Sequence, residues 1–212
     1  MRMKNYDLEL TNLITEIKLK KQTPTLLLQS CCAPCSTTAL SRLSEVFKIT
    51  VYYYNPCLYP DSEFEKRKNE QVKLISILNE KLKNKIELIV PQHNEQAFLE
   101  IAKGLENQPE GGGRCYKCYT QRLENTAKQA KLHNFDYFGT TLSVSPYKHA
   151  DWLNEIGYKM QAEYGVNFLP ADFKKQNGYL FSINESKRLG LYRQDYCGCR
   201  FSLYSKNENK NN

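Results

Sequence analysis

The stretch LLLQSCCAPC at residues 26–35 is where the fold and the chemistry of this chain are predicted to meet. Its apolar first half follows Pro24 and ends at polar residues, which is typical of a buried strand. Three cysteines come next, and residues 37–47 then have the apolar spacing of a helix. The thiols are therefore expected in a strand-to-helix turn, where the helix N-terminus favours thiolate over thiol. Because ligands bind at the carboxyl ends of strands in open α/β sheets, this turn predicts a metal or redox site.

Strand-like and helix-like segments alternate along the rest of the chain. Further strands are predicted at residues 49–54, 86–90, 135–142 and 166–169. Helices are predicted at residues 7–21, 61–78, 95–105, 120–132, 152–164 and 183–189. This order predicts an α/β fold with a doubly wound, mostly parallel sheet and cysteine-bearing loops at the carboxyl ends of the strands.

Length and composition predict one α/β domain over residues 1–204, followed by a polar, disordered tail at 205–212. The net charge of +7 suits a polyanionic partner, although charge by itself is a weak indicator. No apolar run approaches the roughly 20 residues that span a bilayer, and the N-terminus lacks a secretory signal pattern. We therefore expect a cytoplasmic protein with no membrane partner. Eight cysteines in a reducing compartment favour metal binding or catalysis over structural disulfides.

Seven of the eight cysteines fall into three groups that we expect to converge. The groups are Cys31, Cys32 and Cys35; Cys115 and Cys118; and Cys197 and Cys199. A glycine run at residues 111–113 predicts a flexible loop that delivers the second group to a helix. Four thiolates suit either a tetrahedral zinc or a 4Fe-4S cluster, and adjacent cysteines reach two corners of a cluster more comfortably than one small ion. The alternative is that Cys31 or Cys32 packs behind the strand as a small apolar residue.

The Cys197-Gly198-Cys199 pair has a separate chemistry. A disulfide across one intervening residue is strained and easily reduced, which favours a redox-active pair. The alternative is that both thiols are additional metal ligands. Cys35 remains open among ligand, redox thiol and structural residue, and Cys57 receives no role.

Other residue types are less decisive. The segment SPYK at residues 145–148 ends the fourth predicted strand, which is a suitable place for a site, although serine and proline are also ordinary turn residues. Residues near the last cysteine pair that would donate protons or bind phosphate are Asp172, Tyr192, Arg193 and Tyr196.

Six motifs occur in order within residues 26–202. They are SCCAPC, YYYNPCLYPDSEFEKR, GGGRCYKCYTQRLENTA, FDYFGTTLSVSPYK, FLPADFKKQNGY and LYRQDYCGCRFS. In this order they resemble the QueH family of epoxyqueuosine reductases. The resemblance implies a nucleotide alpha-hydrolase-like, Rossmann-like fold. It also implies the last step of queuosine biosynthesis, in which the epoxide of epoxyqueuosine at the tRNA wobble position is reduced to queuosine.

The resemblance also implies a cofactor and a set of site residues. A 4Fe-4S cluster would be held by Cys31, Cys32, Cys115 and Cys118, and Cys197 and Cys199 would be the redox-active pair. Family members vary at the position of Cys35, some having Asp, which suggests a ligand of an additional mononuclear iron. Asp172 and Tyr192 are the predicted proton donors. The partners are tRNA carrying epoxyqueuosine and an electron donor that the sequence does not identify.

Two rival classes use the same cysteines. A zinc-stabilised RNA-binding module would hold the thiolates structurally and would have no turnover. A cluster-free thiol-disulfide oxidoreductase would need only one C-x-x-C motif. A tRNA-thiolating ATP enzyme fits less well, since the turn after the first strand lacks a glycine-rich phosphate cradle.

Overall fold

The strand predicted at the start of the cysteine motif lies in the middle of a five-stranded parallel sheet in this computed structural model, which describes residues 4–208. The strands are β1 (Thr25–Gln29), β2 (Lys48–Tyr52), β3 (Glu87–Ile89), β4 (Tyr137–Thr140) and β5 (Asn167–Phe168). Their order across the sheet is β3-β2-β1-β4-β5, and every neighbouring pair is parallel. This is the doubly wound, Rossmann-like arrangement, so the predicted fold class is confirmed.

Helices cover the sheet in two groups. They are α1 (Tyr6–Leu19), α2 (Ala33–Leu43), α3 (Asp61–Asn79), α4 (Glu95–Ala102), α5 (Gly113–Leu132), α6 (Ala150–Tyr164), α7 (Gly178–Arg188) and α8 (Arg200–Glu208), with a 3₁₀ turn at Leu142–Val144. Helix α2 packs against α3 and α7, whereas α5 packs against α4, α6, β1 and β4. None of the helices within residues 4–208 combines the length and the apolar character needed to cross a bilayer.

Burial explains the position of β1. Leu26, Leu27 and Leu28 are all fully buried, so both faces of this strand are covered. From β1 the chain continues to β2 on one side of the sheet centre, and from β4 it continues to β5 on the other side. The carboxyl ends of β1 and β4 therefore flank a crevice, which is where ligands bind in such folds.

The α5 helix begins seven residues before its predicted start at Thr120, so both of its cysteines lie in the first two helical turns. The buried side chain of Arg114 explains the difference. Its Nη1 donates hydrogen bonds to the carbonyl oxygens of Leu105, Glu106 and Gln108 at 2.9, 2.7 and 2.6 Å. The turn before the helix is thus fixed by backbone acceptors that apolar spacing does not reveal.

The end of the chain also differs from its prediction. Helix α8 extends to Glu208, so residues 205–208 of the predicted disordered tail are helical, while residues 209–212 lie outside the described residues. The first residue of α8, Arg200, donates two hydrogen bonds to Glu95 at 2.7 Å, and Phe201 packs edge-on against Phe98. Tertiary contacts with α4 therefore hold a helix whose own sequence is polar.

Gly157 in α6 allows close approach of the β5 strand, and this gives a testable prediction. A Cβ at this position would lie 2.3 Å from the ring of Phe168. We expect Gly157→Ala to destabilise the protein by about 1–3 kcal/mol through overpacking, although helix propensity alone favours alanine by about 1 kcal/mol. Urea unfolding would measure the difference, with exposed Glu163→Ala in the same helix as the control. A stabilised Gly157→Ala variant would contradict the packing described here.

Candidate active site and metal centre

A cavity of about 770 Å³ opens at the carboxyl ends of β1 and β4. The turn after β1 contributes Cys31 and Cys35 to its wall, and the loop after β4 contributes Tyr147 and Lys148. Cys197, from the segment before α8, lies on the same wall. The fold thus brings Cys31, Cys35 and Cys197 to the wall of one cavity.

Cys31, Cys32 and Cys35 form a compact thiol group. Their Sγ atoms all lie within 4.8 Å of one another, and the Cys31 and Cys32 sulfurs are 3.6 Å apart. The short turn between β1 and α2 causes this proximity, because Cys32 is the residue that precedes the first turn of α2 and Cys35 lies within that turn. All three are buried, and no disulfide joins them. Three convergent soft donors of this kind suit a thiophilic metal.

The protonation of this group is uneven. Hydrogen bonds from the Cys31 and Cys35 thiols, together with the nearby Arg67, hold the pKa of Cys32 well below its usual value. The hydrogen bond to Cys32 in turn raises the pKa of Cys31 to about 11. Gln194 Nε2 also donates a hydrogen bond to Cys32 Sγ at 3.0 Å. The Cys32 thiolate thus accepts hydrogen bonds from two thiols and one amide. A bound metal would replace the protons of those two thiols.

Cys118 lies in a second sulfur-rich cluster, together with a residue to which the sequence assigned no role. Cys57, Cys118 and Cys199 pack around Phe98 and Ala102. A hydrogen bond from Cys118, together with Arg122, lowers the pKa of Cys57 to about 7. Cys57 lies five residues after the end of β2, in the sequence NPC, and this position beyond the carboxyl end of a strand was the signal that could have identified it.

Two cations connect the separate groups of cysteines. Arg122, which is 3% exposed, interacts electrostatically with Cys31 and Cys118. Lys148 interacts with Cys31 and also with Cys115, whose sulfur accepts a hydrogen bond from the Gly111 N–H at 3.3 Å. The first two cysteine groups therefore face the same pair of positive charges.

The Cys197 and Cys199 thiols are free and polarised. A hydrogen bond from Cys199, reinforced by Lys148, holds the pKa of Cys197 well below its usual value, while that of Cys199 is raised. Lys148 Nζ lies 3.6 Å from Cys197 Sγ. Gly198 has φ +116, and a Cβ there would lie 2.8 Å from Arg67 Nη1 and 2.4 Å from a Leu58 methyl. Only glycine therefore fits between the two cysteines.

The structure does not bring the two predicted proton donors to the cavity wall. Asp172 pairs with Lys174 at 2.7 Å, and the Tyr192 hydroxyl donates a hydrogen bond to Glu63 at 3.1 Å. Neither is among the described residues that line the cavity, whereas Arg193 and Tyr196 are.

One acidic residue that sequence reasoning missed, Glu110, lines the cavity. Its carboxylate accepts a hydrogen bond from Ser202 Oγ at 2.9 Å. The signal for it was its position directly before the glycine run that precedes Cys115.

Comparison with known proteins agrees with this geometry. The family model described as epoxyqueuosine reductase QueH matches residues 26–205. The chain belongs to the QueH family. It is 40% identical over 200 residues to epoxyqueuosine reductase QueH of Staphylococcus epidermidis, covering 93% of this chain and 84% of that protein. It is 35% identical over 190 residues to the QueH protein of Thermotoga maritima, covering 87% and 93% of the two chains. Epoxyqueuosine reductases are oxidoreductases, and this QueH chain is therefore an enzyme of that class.

The contact between Lys148 and Cys197 gives a second prediction. The thiolate is the nucleophilic form of cysteine, and the lysine lowers the pKa of Cys197. We expect Lys148→Met to raise that pKa, and so to slow alkylation of Cys197 by iodoacetamide at neutral pH by about tenfold or more. Peptide mass mapping would follow the alkylation, with exposed Lys159→Met in α6 as the control. Equal rates in wild type and Lys148→Met would show that the lysine does not hold the thiolate.

Proposed function

We propose that this enzyme reduces the epoxide of epoxyqueuosine to queuosine at the wobble position of tRNA, the last step of queuosine biosynthesis. The observation that carries the proposal is the polarised pair of Cys197 and Cys199, of which Cys197 lines the same cavity as Cys31 and Cys35. The named activity of the relatives, 40% and 35% identical over most of the chain, agrees with it.

The reaction sets chemical requirements that the cavity meets. Removing an epoxide oxygen to leave an alkene needs two electrons and two protons, and the oxygen leaves as water. A cysteine pair that closes to a disulfide releases two electrons. Cys197, as thiolate, is the more nucleophilic member, and Cys199 retains its proton. An external electron donor then reduces the disulfide for the next turnover.

We assign a 4Fe-4S cluster to Cys31, Cys32, Cys115 and Cys118. These four residues are at most 9% exposed, and thiolates are the ligands such clusters take. Buried Arg122 supports the assignment, because its Nε has no hydrogen-bond partner among the described residues and cluster sulfur is an acceptor. When bound, the cluster would supply single electrons and a Lewis-acidic iron to the epoxide oxygen.

Cys35 fits a second role beside the cluster. Its sulfur belongs to the same compact group as those of Cys31 and Cys32, and it lines the cavity. A ligand at this position would place an additional mononuclear iron at the cavity wall. This assignment agrees with the variation between cysteine and aspartate that the family resemblance implies, since both are metal ligands.

The cavity mouth suits a nucleotide extruded from a single-stranded loop. Tyr147 is 73% exposed and lines the cavity, while Arg193 lies against the ring of Tyr179, 5.3 Å from its centroid, on the same wall. Aromatic rings and guanidinium planes stack on unpaired bases, and sequence-specific RNA recognition mostly targets such loops. The net charge of +7 favours approach of the tRNA backbone.

Cysteine variants test the cluster and the redox pair separately. We expect Cys115→Ala and Cys118→Ala to lose iron, sulfide and brown colour, because each removes a cluster ligand. Cys199→Ala should keep the cluster and lose turnover, because it removes half of the dithiol. The measurements are metal and sulfide analysis of anaerobically purified protein, and nucleoside mass analysis after incubation with epoxyqueuosine-bearing tRNA and a chemical reductant.

Three outcomes would contradict this proposal. Unchanged epoxide from fully loaded wild-type enzyme would defeat the activity. Stoichiometric zinc in place of iron would favour the RNA-binding module, and full turnover by Cys115→Ala would favour a cluster-free thiol oxidoreductase.

Tyr147 tests substrate recognition. If its exposed ring stacks on a base near the target nucleotide, Tyr147→Ala should raise the KM for tRNA by about tenfold, since such stacking contributes about 1–3 kcal/mol per base. The kcat should change much less. Tyr164→Ala is the control, since it lies at the far end of α6, about 21 Å along the helix from the cavity side. An unchanged KM would show that Tyr147 does not contribute to tRNA binding.

A further inference from the structure

Glu110 lies where protons must move during the proposed reaction. Its carboxylate lines the same cavity as Cys197 and accepts a hydrogen bond from Ser202 Oγ at 2.9 Å. The same hydroxyl accepts a hydrogen bond from the Cys197 backbone N–H at 3.2 Å. Ser202 therefore links the Glu110 carboxylate to the backbone of Cys197. Hydrogen bonding with the Cys197 side chain also raises the pKa of Glu110.

The surroundings of Glu110 favour its protonated form. Desolvation and the negative charge of Cys197 raise the pKa of Glu110, against the opposing effects of Ser202 and Lys148. Cys115, from α5, also interacts electrostatically with it. The residue itself is exposed, so its carboxyl group also has access to solvent protons. A carboxylic acid with a raised pKa and a nearby reacting group is a suitable general acid.

We infer that Glu110 is the proton-transfer residue of this site, donating a proton to the departing epoxide oxygen while the Cys197 and Cys199 pair is oxidised. This role rests on the proposed function and is distinct from the cluster and redox assignments. It replaces Asp172 and Tyr192 as the proton donor, since both of those side chains are paired away from the cavity.

The step balances with groups that the chain supplies. The starting state is the Cys197 thiolate, the Cys199 thiol and the Glu110 carboxylic acid. The two sulfurs form a disulfide and lose two electrons, both carbon–oxygen bonds break, and the carbon–carbon double bond forms. The protons of Cys199 and Glu110 leave with the oxygen as water. Glu110 ends as a carboxylate and regains its proton from solvent when the electron donor reduces the disulfide.

Glu110→Gln separates proton transfer from hydrogen bonding. The amide oxygen still accepts the hydrogen bond from Ser202, but the amide cannot act as an acid. With pre-reduced, fully loaded enzyme, we expect its single-turnover rate on epoxyqueuosine tRNA to fall about a hundredfold. The wild-type rate should decrease as pH rises through the raised pKa of Glu110, since only the protonated acid donates. That pH dependence should vanish in Glu110→Gln. Exposed Glu106→Gln, four residues earlier in the chain, is the control and should match the wild type.

A second measurement needs neither tRNA nor turnover. Iodoacetamide alkylation of Cys197, followed by peptide mass mapping across pH, reports the ionisation of this thiol. In its acid form Glu110 donates a hydrogen bond to the Cys197 thiolate. Its replacement by the weaker amide donor should therefore shift the midpoint to higher pH in Glu110→Gln and leave it unchanged in Glu106→Gln. A single-turnover rate within twofold of wild type, or an unmoved alkylation midpoint, would overturn the role of Glu110. Unreduced epoxide with wild-type enzyme would instead overturn the proposed function, and the alkylation midpoint would still decide whether Glu110 acts on Cys197.

Discussion

Charge compensation between buried cations and thiols is the constraint on which this site depends. Arg67 and Arg122 are 2% and 3% exposed at the cysteine-rich end of the sheet. Arg67 is neutralised by Glu63 at 2.7 Å, whereas Arg122 hydrogen-bonds to the sulfur of Cys57 and interacts with Cys118. A buried charge is costly unless an opposite charge is close to it. Arg122 therefore stabilises Cys57 as a thiolate, while Cys118 keeps its proton and donates a hydrogen bond to it.

Sheet topology explains why residues that are distant in sequence lie close together at this site. The direction in which successive strands are added across the sheet reverses between β1 and β4, so the loops that follow these two parallel strands diverge and leave a crevice. Cys31 enters the crevice from the first loop and Lys148 from the second. Arg67 then fixes the third segment, because its Nη1 donates to the Cys197 carbonyl oxygen at 3.1 Å. A helix residue thus holds a loop that has no regular secondary structure of its own.

Sequence patterns predicted the parts of the molecule that depend on local physics. The buried leucines and the cysteine turn after β1 were recognisable because strand burial and helix initiation are encoded over a few residues. The early start of α5 was missed, since it depends on Arg114 binding three backbone carbonyl groups. The placement of Cys57 against Cys118, and of Glu110 against Ser202, was missed for a similar reason. These contacts join segments between 61 and 92 residues apart, beyond the reach of any periodic pattern.

Lys148 lies between Cys197 and the first cysteine group and interacts with both. Its ammonium group faces Cys197 at 3.6 Å and also interacts with Cys31. Although desolvation opposes it, the Cys197 thiolate raises the pKa of Lys148 well above its usual value, so the group stays charged. Disulfide formation removes the negative charge of Cys197 and leaves that ammonium without its nearest anion. The positive potential at Cys31 then increases, which favours electron-rich states of any centre bound there. In the proposed reaction, oxidation of the pair would therefore favour delivery of the next electrons to the same cavity.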